Sequence, residues 1–113
     1  TWIALGLLGL LGGAAATLAV APETLLVAGL WITGSGLAFG VPTGLVYHLA
    51  LRRALLAADC LPPRWWLRPT ALHASVPLAA RPAVLGWCGA GAAGFVVSLA
   101  GCALVAIGAM RAS

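Results

Sequence analysis

The sequence predicts an all-α integral membrane protein that crosses the bilayer three times. Composition is the first sign: of 113 residues only 7% are charged and 63% are hydrophobic, with a mean hydropathy of +1.10. A soluble domain carries about 25% charged residues, so this chain has too few to clothe a water-facing surface. The second sign is where the charges fall. No Asp, Glu, Lys or Arg occurs in residues 1–22, 24–51 or 82–110, and each stretch exceeds the roughly 20 apolar residues that span a hydrocarbon core of about 30 Å. Third, none of these stretches shows polar residues returning every three or four positions, as the wet face of a soluble helix would.

The first helix is expected over residues 2–21. Its apolar run is longer than a signal-peptide core and has no basic n-region before it, so it is taken as a retained helix. Pro22, Glu23 and Thr24 make the only polar break before the second helix, and so short a break predicts a tight helical hairpin. Glu23 and Thr24 also suit a helix start, where a carboxylate meets unpaired N–H groups and the positive dipole end. The second helix is expected over residues 24–51, with an interfacial continuation past Arg52 and Arg53 to about Asp59 allowed. At about 42 Å it outruns the hydrocarbon core and must tilt, kink or emerge. Pro42 is the expected kink, because its ring removes a backbone hydrogen bond and crowds the preceding turn. The third helix is expected over residues 82–110, opened by Pro82. All three belong to a single membrane domain, 1–113.

Residues 52–81 form the one polar connection. It holds Arg52, Arg53, Arg64, Arg68 and Arg81 against Asp59, and Pro62, Pro63, Pro69 and Pro77 disfavour a long helix. Arg52, Arg53, Arg64, Trp65, Trp66 and Arg68 have the composition of a segment at headgroup depth, where bound lipids are expected. Five of the six arginines lie here and none lies between the first two helices. Counting positive charge inside places this connection and the N-terminus in the cytoplasm and the C-terminus outside. All basic residues are Arg, with no Lys, Asn or Gln anywhere, which fits a GC-rich bacterial genome and an inner-membrane location.

Small residues recur at four-residue spacing: Gly9 and Gly13, then Gly36, Gly40 and Gly44, then Gly86, Ala90, Gly94 and Ser98, continued by Cys102, with Gly89, Ala93, Val97 and Gly101 beside that line. Such lines let helix backbones approach closely in lipid, where no hydrophobic drive brings helices together. They are the expected helix-packing residues. Phe95, Val96, Leu99, Leu104 and Val105 fall largely elsewhere on the third helix.

Chemistry is thinly represented. His48 follows Gly44 by one turn, a spacing at which glycine leaves room for a flat macrocycle whose metal the imidazole ligates. His48 is therefore the one candidate cofactor ligand, for haem, a chlorophyll-type pigment such as bacteriochlorophyll, or a quinone. The plainer expectation is no cofactor and a His48 bonded to water, backbone or lipid phosphate. His73, on a loop between prolines, is expected to be solvated. Cys60, Cys88 and Cys102 lack the clustering that zinc or an iron–sulfur centre needs. The spans hold no Asp, Glu, Lys or Arg such as ion and proton transporters place within the bilayer. No nucleophile–base–acid set is present, and Glu23 and Asp59 are expected on opposite sides. The net charge of +4 is too localised for a nucleic-acid surface. These absences predict a non-catalytic accessory subunit whose partners are other transmembrane subunits and membrane lipids. A bacterial respiratory or photosynthetic complex is the setting considered. The alternative is an electron-transfer membrane anchor that holds a cofactor near His48, Tyr47 and the Trp65–Trp66 segment, with His48 as the ligand.

Overall fold

The computed structural model describes all 113 residues and is all-helical, with no strands. Helix α1 spans Trp2–Ala19, α2 spans Pro22–Ala57 and α3 spans Arg81–Ala112. Two short 3₁₀ helices, Trp65–Leu67 and Pro69–Ser75, lie between α2 and α3. Each of the three α-helices is long and apolar enough to cross a membrane.

The helix limits differ from the expected ones for local reasons. Helix α1 ends at Ala19 because Val20 turns extended, with φ −92° and ψ 144°. Helix α2 already starts at Pro22, a residue that needs no N–H donor in a first turn, and Glu23 sits in that turn. Its C-terminus runs past Leu51 to Ala57, along the continuation that the sequence allows to about Asp59. The sequence Arg52–Ala57 contains only strong helix formers, so nothing there stops it. The stop comes at Asp59, whose φ of 55° is left-handed. Cys60 N–H then donates to Leu55 O at 3.0 Å and Asp59 N–H to Leu56 O at 3.1 Å. Those two bonds form a Schellman motif, which satisfies carbonyls the helix leaves without donors. Pro62 and Pro63 follow. The connection is thus residues 58–80, shorter at both ends than the expected 52–81. Pro42 lies inside α2 and denies the Ala38 carbonyl its donor. The next residue adds a donor to that turn: Thr43 Oγ1 donates to Phe39 O at 2.8 Å and approaches Gly40 O at 3.1 Å.

The chain divides into two compact units. One comprises Thr1–Gly34 and Val97–Ser113. Here α2 and α3 pack antiparallel with their backbones in near contact. A Cβ built on Gly101 would collide with Thr33 and lie 2.8 Å from Gly29 O; one on Gly29 would lie 2.8 Å from Gly101 O. One on Gly108 would lie 3.0 Å from Pro22 O. Only glycine fits at Gly29 and Gly101. Val105 borders this seam and fills the gap beside Gly29 with its Cγ2. Helix α1 buries no residue, and Cβ atoms on Gly6, Gly9, Gly12 and Gly13 would meet nothing within 4 Å. Its tie to the rest of this unit is Arg111, whose Nη1 donates to Thr17 O and Val20 O. A guanidinium there meets the unpaired carbonyls and the negative dipole end of α1.

The other unit is Ser35–Val96. Its α2–α3 contact is again glycine on glycine: a Cβ on Gly94 would collide with Gly40 and lie 3.0 Å from Gly36 O. The buried core is here as well, formed by Tyr47, Leu51, Ala54, Leu55, Val76 and Val84. Leu51 and Leu55 are fully enclosed because the connection folds over the end of α2 and covers them with Val76.

Candidate functional site

The side chains with chemical potential gather where the connection meets α2. Tyr47 is buried, and His48 and His73 are half-buried. Tyr47 Oη lies 2.5 Å from His73 Nε2. In the neutral pairing the phenol O–H donates to the imidazole lone pair, and Nδ1 carries the ring proton. The two rings stand nearly perpendicular, 5.7 Å apart at 84°. His73 is therefore engaged by α2, correcting the expectation of a solvated loop histidine. Two bracketing prolines, Pro69 and Pro77, fold the segment into a 3₁₀ helix that brings His73 back over Tyr47.

His48 Nδ1 lies 2.7 Å from Gly44 O. A carbonyl can only accept, so Nδ1 donates, and in the neutral ring the lone pair is left on Nε2. Histidines that bind metals are commonly oriented by such a bond from the other ring nitrogen. Trp65 stands 6.0 Å from His48 at 50°, and Trp66 packs edge-on to Trp65 at 6.4 Å. Cys88 of α3 packs against the core cluster. No three of the His, Cys, Asp and Glu side chains come together in an arrangement that could hold a metal ion.

Arg81 fastens the far end of the connection. Its Nη2 donates to Val76 O at 3.0 Å and reaches Ala74 O at 3.4 Å, while its Nε is buried without a partner. Cys60 Sγ approaches Ser75 O at 3.8 Å. Sequence reasoning counts Arg81 only as a positive charge, and misses that it holds the carbonyls that end the second 3₁₀ helix. The Tyr47–His73 pair escapes it too. Its partners are separated by 26 positions, and no periodicity links a helix to an irregular segment.

The small residues divide into two sets. Gly36, Gly94 and Ser98 are buried, and Gly40 and Ala90 are half-buried. Gly86 is exposed, and a Cβ there, as on Gly44, would meet nothing within 4 Å. The buried α3 positions in the Ser35–Val96 unit are Val84 and Gly94, flanked by half-buried Cys88 and Gly91. In the other unit they are Ser98, Gly101 and Gly108, with Val105 half-buried. Steps of three and four are mixed because a strict four-residue row drifts by about 40° per step around a helix with 3.6 residues per turn.

No family model, curated protein or solved structure matches this chain. Arg52, Arg53, Arg64, Trp66 and Arg68 are exposed and Trp65 is half-buried.

Proposed function

We propose that the chain is a non-catalytic transmembrane subunit that packs its helices against those of a larger membrane complex. The observation that carries this is α1. It is 18 residues long, apolar but for Thr17 and rich in glycine, yet none of its residues is buried against its own chain. Lipid alone needs no glycine row, since Leu serves a lipid-facing helix as well. A row such as Gly6–Gly9–Gly13 suits close approach by another backbone. The proposed setting is a bacterial inner membrane, with residues 58–80 and the N-terminus on the cytoplasmic side by the arginine distribution. Respiratory and photosynthetic complexes use small helical subunits of this general shape, an analogy of architecture only.

The test is the double substitution Gly9→Leu with Gly13→Leu. Leucine keeps α1 apolar, so insertion persists, while bulk at the crossing removes many small dispersion contacts together. On native gels of solubilised membranes the variant should migrate as the free chain, where the unaltered chain migrates within a large assembly. Unchanged migration within that assembly would falsify the proposal.

One observation favours a second reading, in which His48 holds a haem, a chlorophyll-type pigment or a quinone in an electron-transfer anchor subunit. The Gly44 carbonyl fixes the Nδ1 proton and leaves Nε2 as the free lone pair. A visible absorption band that co-purifies with the chain and is lost in His48→Ala would support it over the first.

A further inference from the structure

The connection carries a feature that helix packing does not use. Residues around the first 3₁₀ helix surround an open cleft of about 320 Å³, lined by Pro62, Pro63, Arg64, Trp65, Arg68 and Leu72 among others. Both arginine side chains are exposed. The hydrogen bonds that order this turn use their backbone carbonyls: Leu67 N–H donates to Arg64 O at 3.1 Å and Ala71 N–H to Arg68 O at 3.3 Å. The guanidiniums are left to the cleft. The only side-chain carboxylates are those of Glu23 and Asp59, and neither lines it.

The cleft is also held in shape. Arg64 has a φ of 57°, a left-handed conformation that residues other than Gly, Asn and Asp seldom take. The surrounding segment is pinned by the Tyr47–His73 bond, by buried Val76 and by the Arg81 bonds to Val76 O and Ala74 O. Two cations without counterions on a fixed platform form a site for an anion. Guanidiniums suit phosphate in particular, since their planar forks match its oxygens in pairs. The same rim is apolar: Leu67 and Leu72 line the cleft, and Trp66 and Leu67 are 57% and 64% exposed. A ligand charged at one end and greasy at the other satisfies both halves.

We propose that this cleft binds the phosphodiester headgroup of an anionic membrane lipid. Arg64 and Arg68 hold the phosphate oxygens, Trp65 flanks the glycerol, and the upper acyl chain lies along Leu67 and Leu72. The site requires that the chain lie in a membrane but is independent of any assembly, since a lone chain can hold a lipid.

The full chain, purified in neutral detergent, should be titrated with phosphatidylglycerol, phosphatidylcholine or inorganic phosphate and bound molecules counted by native mass spectrometry. One phosphatidylglycerol per chain should be retained, with neither of the other two. Arg64→Gln with Arg68→Gln should weaken that retention by about tenfold or more, as expected for lost charge-assisted hydrogen bonds. Arg52→Gln with Arg53→Gln removes equal charge from exposed positions on α2, outside the cleft, and should weaken retention far less than the first pair does. Equal losses in the two pairs would mean diffuse surface charge, and unchanged retention in the first pair would mean the lipid sits elsewhere. Inorganic phosphate competing at the lipid's own concentration would mean a soluble-anion site. Each of those three results overturns the proposal. None of them alters the native-gel behaviour that tests assembly through α1.

Discussion

At Gly94 one missing carbon decides whether two backbones meet. A Cβ there would collide with Gly40 and press on Gly36 O, and backbone cannot swing aside as the tip of a side chain can. Gly94→Ala should therefore destabilise the fold by about 1–3 kcal/mol, the range for overpacking a filled contact. Gly86→Ala places the same methyl in open space and should change stability little. Reversible unfolding in mixed micelles would compare them, and equal stabilities would show that no close contact exists at Gly94. Tyr47 makes a residue-scale contrast of another kind. Its oxygen bonds a histidine that only the folded connection brings near, and Tyr47→Phe would leave that imidazole nitrogen without its donor.

Among the elements, α1 and α2 are joined by two residues but differ in how they are held. Helix α2 is packed along much of its length and closed by a Schellman motif at Asp59. Helix α1 is held through its C-terminal carbonyls, by Arg111. A hydrogen bond to a charged group contributes about 1.5–3 kcal/mol. Arg111→Ala should accordingly speed backbone amide exchange at the end of α1 while leaving α3 protected. Unchanged exchange there would assign the anchoring of α1 to something else.

The element limits show what periodicity can and cannot deliver. Charge-free runs located three helices because a span must exclude charge over its whole length, a signal that accumulates over many residues. The extension of α2 to Ala57 matches the allowed continuation past Arg52 and Arg53, which mark the end of an apolar run and not the end of a helix. The packed face was half legible. Glycines flag close approach, but a four-residue row drifts off the contact, so Gly86 joins the row and not the seam, Gly101 joins the seam from the neighbouring line, and Gly29 joins the seam from neither. Tyr47, His48 and the Trp65–Trp66 segment could be grouped from the sequence, but the Tyr47–His73 contact could not. It depends on how a proline-rich segment returns over α2, and that return is set by Val76, Arg81 and the 3₁₀ turns acting together.

For the molecule as a whole, the arginine distribution yields the proposed orientation, and the chain supplies its own probe. Cys60 is exposed in the connection. With Cys88→Ala and Cys102→Ala in place, Cys60 should resist a membrane-impermeant maleimide in intact cells and react once they are permeabilised. Labelling of intact cells would reverse the topology. The glycine seam also has a thermal consequence. Burying apolar side chains from water gives unfolding a large heat-capacity change, about 0.45 cal/K/mol for each Å² of apolar surface exposed. At the glycine seam of each unit α2 and α3 meet backbone to backbone, and helices parting there within lipid would exchange one apolar neighbour for another. Their separation should therefore show an enthalpy nearly constant with temperature. The contact would weaken almost linearly on warming and would not fail in the cold.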